Sequence, residues 1–227
     1  MTTATMTRTD EQLQRDVLAE LKWDARVQPN EIGVSAKDGV VALTGWVDTY
    51  MKKWAAEQAA HRVRGVKAVA NDIDVRLPTA AERTDPDLAA AATRALEWDA
   101  LVPSQNIHVT VNRGWVTLTG EVEWEYQRRA AERAVRHLSG VRGVTNQVSL
   151  RPRVRVDMAE ARRRIEEALV RTVDTPGERL TIAIEDDKVV LTGVVRSWRE
   201  REEAARVAWS TPGVTSVENR IVVNPAA

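Results

Sequence analysis

A seven-residue segment with a glycine at its fifth position occurs three times in this chain. The copies are VALTGWV at Val41–Val47, VTLTGEV at Val116–Val122 and VVLTGVV at Val189–Val195. Twenty residues after each of these anchor glycines comes Gly-Val, and an asparagine stands six residues further on. The copies are 75 and then 73 residues apart, which is longer than the period of most solenoid repeats. The sequence therefore predicts three small domains, each with its own core.

Each copy has the hydrophobic pattern of the same five elements. Apolar residues spaced by four, as at Leu13, Val17 and Leu21, predict an amphipathic first helix. A period-two strand, a tight turn such as Asp38-Gly39 and the strand with the anchor glycine form a β-hairpin. The equivalent turns are Arg113-Gly114 and Asp186-Asp187. An alanine-rich second helix and a last strand that begins at the asparagine complete the order αββαβ.

The second helix connects two strands of one sheet, and such crossovers are right-handed when the strands are parallel. The last strand is therefore expected to lie parallel to the strand with the glycine, which becomes the central strand. The predicted fold is α+β, with three tandem αββαβ domains at 10–77, 85–151 and 157–224. Each domain is expected to have a three-stranded mixed sheet with both helices on one face.

The anchor glycines need an explanation, because glycine inside a strand costs roughly 0.5–1 kcal/mol relative to alanine. Gly45, Gly120 and Gly193 each stand in an otherwise apolar strand. This pattern indicates a bulge or a helix that lies directly on the backbone. We expect the alanine face of the second helix to lie there.

Composition excludes several classes of function. The 227 residues include 33 basic and 33 acidic side chains, and no copy is markedly basic, so nucleic acid is not an expected partner. Cysteine is absent, which excludes disulfides and thiolate chemistry. We find no secretory signal and no stretch near the roughly 18 apolar residues of a transmembrane segment. The expected location is cytoplasmic, or periplasmic if a signal was removed.

No motif indicates catalysis, a cofactor or a metal. The Gly-x-Ser-x-Gly elbow and the glycine-rich phosphate loop are both missing. His61, His108 and His137 lie in different contexts, and no Cys/His/carboxylate spacing suggests zinc. The acidic run Glu185–Asp187 is expected to be a solvated turn, because calcium needs more oxygen ligands than it supplies. We therefore expect a non-enzymatic protein without a cofactor.

The start of each second helix carries aromatic residues among basic ones. Cations near a helix N-terminus are unfavourable by roughly 0.3–1 kcal/mol each, so helix stability does not explain them. One interpretation is a contact patch for a protein partner or an anionic membrane. The other is that the aromatic ring closes the core and the charges face solvent. The candidate binding residues are Tyr50, Lys52, Lys53 and Trp54, then Trp124, Tyr126, Arg128 and Arg129, and finally Arg196, Trp198, Arg199 and Arg201.

A Trp-Asp pair ends the first helix of the first two copies, as Trp23-Asp24 and Trp98-Asp99. We expect the tryptophan to cover the core beneath the following loop and the aspartate to accept a local backbone hydrogen bond. A ligand pocket is the alternative. The third copy has Arg171-Thr172 at this position, so it is not expected to share this role.

These motifs together resemble a known family. Ile32–Val47 and Ile107–Val122 both read I-x-V-x-x-x-x-G-x-V-x-L-T-G-x-V, and Val63–Val75 reads V-x-G-V-x-x-V-x-N-x-I-x-V. This pattern resembles the BON domain, named for bacterial osmotically inducible and nodulation proteins. The resemblance implies binding modules without catalytic residues. Such modules occur in periplasmic osmotic-stress proteins, in proteins that contact anionic phospholipid and in a cytoplasmic potassium-binding protein.

Three functions follow as hypotheses. The first is a tandem adaptor that binds a protein partner or an anionic membrane and is linked to osmotic or envelope stress. The second is a cytoplasmic sensor of a small ligand or of an ion such as potassium. The third is a structural spacer or a homo-oligomer.

Overall fold

The structure is a computed structural model that describes residues 9–27, 31–152, 158–172, 180–185 and 188–224. It contains three units with the same element order. Unit 1 consists of α1 (Asp10–Trp23), β1 (Ile32–Lys37), β2 (Val40–Val47), α2 (Tyr50–Arg62) and β3 (Ala68–Val75). Unit 2 consists of α3 (Asp85–Trp98), β4 (Ile107–Asn112), β5 (Trp115–Val122), α4 (Glu125–Arg136), β6 (Gly143–Asn146) and β7 (Ser149–Leu150). Unit 3 consists of α5 (Met158–Thr172), β8 (Leu180–Glu185), β9 (Lys188–Val195), α6 (Trp198–Trp209) and β10 (Ser216–Val223).

The sheets have the predicted topology. In each unit the strand with the anchor glycine is central, its hairpin partner is antiparallel to it and the last strand is parallel to it. In unit 2 the last strand is divided into β6 and β7, and both pair with β5. The register is the same throughout, since the anchor glycines lie opposite Ile32, Ile107 and Leu180. The α+β prediction of three αββαβ units with mixed sheets is confirmed.

Two of the predicted hairpin turns are present. Asp38 and Gly39 have φ angles of 52° and 84°, and Arg113 and Gly114 have φ angles of 51° and 79°. Two successive positive φ angles are typical of the type I′ turn, whose twist matches that of the flanking strands. The third predicted turn, Asp186-Asp187, lies outside the described residues.

Each unit has its own core, built on one face of its sheet. In unit 1, α1 buries Leu13, Val17 and Leu21, the stripe that the sequence predicts. The second helix buries four alanines, Ala55, Ala56, Ala59 and Ala60, whose small side chains let the helix backbone lie close to the sheet. Within the described residues the buried apolar side chains form three separate clusters, one in each unit.

The anchor glycines are required for a reason other than the predicted one. All three have positive φ angles, +114° at Gly45, +126° at Gly120 and +135° at Gly193, a region that residues with a side chain rarely adopt. A Cβ on Gly45 would overlap the carbonyl oxygen of Glu31, and one on Gly120 would overlap that of Asn106. At Gly45 and Gly120 the close neighbour is thus the backbone just before the first strand. The expectation that the alanine face of the second helix is this neighbour is wrong at these two positions, and at Gly193 it stays a prediction.

The repeated asparagine fastens the last strand to the second helix. Its side-chain amide donates a hydrogen bond to a backbone carbonyl oxygen of the second helix. The residue that carries this oxygen stands eight positions after the anchor glycine. Its own side-chain oxygen accepts from the backbone N–H two residues further along the strand. The three amide bonds run from Asn71 to Lys53 (3.3 Å), from Asn146 to Arg128 (2.8 Å) and from Asn219 to Arg201 (3.0 Å). The first turns of α2, α4 and α6 are therefore held in the same place on their sheets.

Of the helices in the described residues, none is both long enough and apolar enough to span a bilayer.

Candidate binding site at the second helices

The aromatic candidates, with Arg128 and Arg129, lie where the second helices of the three units meet. The first turns of one helix contact the last turn of another, so that the three contacts follow each other in a ring. We call them junction 1–2, between α2 and α4, junction 2–3, between α4 and α6, and junction 3–1, between α6 and α2. Their ring contacts are Trp54 with the Arg136 guanidinium (4.2 Å), Trp209 with the Arg128 guanidinium (4.9 Å) and Trp198 stacked on His61 (4.1 Å).

Junction 1–2 is filled by aromatic side chains from α2. Tyr50 is half-buried and packs against the core of unit 2. Burial raises the pKa of the Tyr50 hydroxyl, and the nearby positive charge of Arg136 opposes this rise. Trp54 packs on the core of its own unit and is covered by Arg136, which forms an ion pair with Glu132. Tyr50 and Trp54 therefore both contact unit 2, Tyr50 through its core and Trp54 through Arg136.

Junction 3–1 is also closed by an aromatic ring. The rings of Trp198 and His61 are nearly parallel, with an angle of 17° between their planes. Trp198 also packs on the core of unit 3, and Arg201 lies 4.6 Å from its ring centre. Burial lowers the pKa of His61, and the negative charges of Glu57 and Glu202 act in the opposite direction. This stack connects the first unit of the chain to the last.

Junction 2–3 is different, because a surface cavity of about 540 Å³ lies between its two helices. Glu125 stands here five residues after the anchor glycine, where the other units have Tyr50 and Trp198. It is 7% exposed, and its carboxylate oxygens lie 2.6 Å from Nε of Arg128 and 3.0 Å from Nε of Arg129. The cavity is lined by Trp124, Glu125, Tyr126, Arg129, Arg206, Trp209 and Ser210.

The twelve candidates have different surroundings in the structure. It brings Trp124, Tyr126 and Arg129 together around the cavity of junction 2–3. Among the remaining basic residues, Lys52 forms an ion pair with Asp48 at 2.7 Å. Lys53 and Arg201 receive the asparagine bonds on their carbonyl oxygens, whereas Arg196 and Arg199 are exposed. Their role in binding stays a prediction.

The two Trp-Asp pairs are placed differently from expectation. The tryptophans, Trp23 and Trp98, are 86% and 87% exposed and do not cover the core. Trp23 follows the buried Leu21 by two residues, which places it about 200° around the helix from the buried stripe. The expectation that these tryptophans cap the core is wrong for this reason. Sequence reasoning missed their exposure, although the spacing from the stripe was a signal for it.

The aspartates of these pairs behave as predicted. Oδ1 of Asp24 accepts from the backbone N–H of Arg26 at 3.1 Å, and Oδ1 of Asp99 accepts from that of Leu101 at 3.0 Å. Asp24 also binds the guanidinium groups of Arg26 and Arg62. These hydrogen bonds, above all that from Arg26, hold the pKa of Asp24 well below its usual range.

Across the part of the chain that the structure describes, no three His, Asp or Glu side chains are grouped so that they could hold a metal ion.

Comparisons with known proteins identify the family. The BON domain model matches residues 9–76, 84–152 and 157–225. Osmotically-inducible protein Y of Escherichia coli K12 is 28% identical over 143 residues, which cover 60% of this chain and 70% of that protein. Two solved structures of CdsD, a structural protein of the type III secretion system of Chlamydia trachomatis, are 14% identical with a TM-score of 0.27. The first match covers 92% of this chain and 91% of the CdsD chain, and the second covers 96% of this chain and 100% of the CdsD chain. A TM-score of 0.27 is too low to support any argument. The family model matches most of the chain in three consecutive stretches, and the chain therefore belongs to the BON domain family.

Proposed function

We propose that this chain is a non-enzymatic surface-binding protein linked to osmotic or envelope stress, which attaches to membranes that contain anionic phospholipid. Membership of the BON family and similarity to an osmotically inducible protein support the link to stress. The observation that carries the membrane proposal is the exposure of Trp23 and Trp98.

Two tryptophans that are as exposed as Trp23 and Trp98 are unusual on a protein surface. Leaving each of them in water forgoes roughly 3 kcal/mol of hydrophobic free energy. Both stand 22 residues before the anchor glycine of their unit, so the same local position is exposed twice. Tryptophan is enriched at membrane–water interfaces, because its apolar ring enters the headgroup layer while its N–H stays hydrated. A membrane surface therefore fits these side chains.

The repeat gives the chain two such tryptophans, because Trp23 and Trp98 stand at the same position of units 1 and 2. Two weak anchors on one molecule bind a surface more tightly than either alone. Exposed cations accompany both of them, Lys22 directly before Trp23 and Arg94 one turn before Trp98. Each cation near an anionic membrane contributes about 1 kcal/mol.

Co-sedimentation with vesicles tests the proposal. We expect the chain to pellet with vesicles that contain phosphatidylglycerol, and to pellet less with vesicles of phosphatidylcholine alone. Replacing both exposed tryptophans, Trp23→Ser with Trp98→Ser, should lower the affinity at least about tenfold, which corresponds to about 1.4 kcal/mol. The matched control is Trp115→Ser, because this half-exposed tryptophan lies on the sheet of unit 2 and binds Thr145. It should bind like the unchanged chain.

Two results would contradict the proposal. One is that the unchanged chain stays in the supernatant with anionic vesicles. The other is that the double variant binds as tightly as the unchanged chain. A triple variant with Trp124, Arg128 and Arg129 replaced tests the second helices instead. If it alone lost binding, the membrane contact would lie at junction 2–3 and the role of Trp23 and Trp98 would be refuted.

A further inference from the structure

Three equivalent places in the ring of junctions can be compared directly. At each, the residue five positions after the anchor glycine in one unit faces the residue sixteen positions after the anchor glycine in another. At junction 1–2 these residues are Tyr50 and Arg136, and at junction 3–1 they are Trp198 and His61. In both cases an aromatic ring from the first turn of the helix occupies the space between the units.

At junction 2–3 the ring is missing. The corresponding residues are Glu125 and Trp209, and the short side chain of Glu125 points to Arg128 and Arg129 of its own helix. The space that a ring fills at the other junctions is open here and forms the cavity of about 540 Å³. This volume lies within the range of about 300–1,000 Å³ that is usual for sites that bind small molecules.

The lining of the cavity indicates what would fill it. Three aromatic side chains, those of Trp124, Tyr126 and Trp209, offer faces and edges to a flat apolar group. Arg128 already covers Trp209 at 4.9 Å, so part of the aromatic surface is taken by a cation.

The charges around the cavity favour an anion. Arg128 and Arg129 share the single carboxylate of Glu125, whereas Arg206 is paired with Glu203. One positive charge is therefore left over beside the cavity. The side chain of Arg129 is 57% exposed, so it is accessible to a ligand in the cavity and can donate two parallel hydrogen bonds to an anionic group.

We propose that the cavity between α4 and α6 binds a small planar aromatic molecule that carries a negative charge. Its ring takes the place that Tyr50 and Trp198 occupy at the other two junctions, and its anionic group faces Arg129. This site and its ligand go beyond the proposed membrane attachment, which depends on Trp23 and Trp98.

Fluorescence titration with two matched dyes tests the site. Anilinonaphthalene sulfonate is a planar aromatic anion, and phenylnaphthylamine has the same ring system without the sulfonate. We expect the sulfonate dye to bind at one saturable site per chain, with an affinity at least about tenfold higher than that of the neutral dye. Arg129→Gln should remove this preference, because one charge-assisted hydrogen bond corresponds to about that factor. Arg199→Gln, an exposed arginine at the start of α6, is the control and should retain it.

Filling the cavity from the protein side provides a second test. Glu125→Tyr introduces the residue that unit 1 has at this position and should abolish binding of the sulfonate dye. Tyr126→Ala changes a side chain that is 53% exposed, so it should fold normally and still weaken binding. The dye should also raise the melting temperature of the unchanged chain, because a ligand of the folded state stabilises it. This shift separates binding to the cavity from binding to partly unfolded chains.

The inference is overturned if both dyes bind with equal affinity, or if the sulfonate dye binds Glu125→Tyr and Tyr126→Ala as tightly as the unchanged chain. It is also overturned if the sulfonate dye does not raise the melting temperature of the unchanged chain. No vesicles are present in this titration, so its failure leaves the membrane proposal untouched.

Discussion

Junction 3–1 and junction 2–3 are built on the same helix positions and differ in whether they are closed. At junction 3–1 the ring of Trp198 stacks on His61 at 4.1 Å and joins the ends of the chain. At junction 2–3 Glu125 occupies the same position, and a cavity remains between the helices. The residue at this fixed place in the repeat is an aromatic ring at the closed junction and a carboxylate at the open one.

This difference also shows how the chain is held together. The three cores are separate, so each unit closes its own interior, and in the part of the chain that the structure describes aromatic and cationic side chains of the second helices join the units. Domains that meet through small contacts are expected to move relative to each other, unless the interface between them is large and apolar. The side chains at the junctions are therefore what would hold the three units in place.

The largest effect is expected for Trp198→Ala. This side chain packs on the core of unit 3 and also stacks on His61, so its removal leaves a cavity at a closed junction. We expect the free energy of unfolding to fall by about 3 kcal/mol, the lower end for a buried tryptophan because Trp198 is half-buried. Tyr126→Ala at the open junction should change it by less than about 0.5 kcal/mol. Equal losses in urea denaturation would remove the contrast between the junctions.

A smaller effect is expected for Arg136→Ala. The side chain of Arg136 is 12% exposed, forms an ion pair with Glu132 and covers Trp54. Losing a desolvated cation–π contact and leaving the carboxylate of Glu132 without this partner should cost about 1–2 kcal/mol. The corresponding change at the open junction, Arg129→Ala, removes a more exposed arginine and should cost less than about 1 kcal/mol. Thermal denaturation of both variants checks the order, and the reverse order would contradict this description of junction 1–2.

The smallest effect concerns the pH dependence of junction 3–1. Burial lowers the pKa of His61 below its ordinary value of 6.5, so the unfolded chain binds a proton more readily than the folded chain just below that pH. The contribution of His61 to stability is therefore complete above pH 6.5 and falls as the pH drops through the window down to the lowered pKa. We expect the free energy of unfolding to decrease between pH 7 and pH 5, and His61→Gln to flatten this slope. An unchanged slope in the variant would show that His61 is not buried against unit 3.

The repeat allowed much of the fold to be predicted from the sequence. Strand order and register follow from local patterns, namely the apolar alternation, the turn residues and the fixed distance from the anchor glycine to the asparagine. The glycines showed that a side chain could not be accommodated, but not what would collide with it. The carbonyl groups of Glu31 and Asn106 lie more than ten residues upstream, and only the folded hairpin brings them to Gly45 and Gly120.

The candidate site was predicted less completely, because it depends on how the units meet. The sequence placed aromatic and basic residues at the start of each second helix, and the structure brings three of them to one cavity. Their partners Arg136, Trp209 and His61 come from the far ends of other second helices, and no local pattern indicates that approach. The exposure of Trp23 and Trp98 could have been predicted from the sequence, since both lie off the buried stripe of their helices.

The central claim is that the chain closes on itself, with unit 3 returning to unit 1. A double-mutant cycle on His61 and Trp198 tests it most directly, because these two residues belong to the first and last units and couple only if they touch. With His61→Ala, Trp198→Ala and the double variant measured by urea denaturation at pH 7.5, we expect a coupling free energy of about 0.5–1.5 kcal/mol. A coupling free energy of zero, with both single variants folded, would contradict the closed ring.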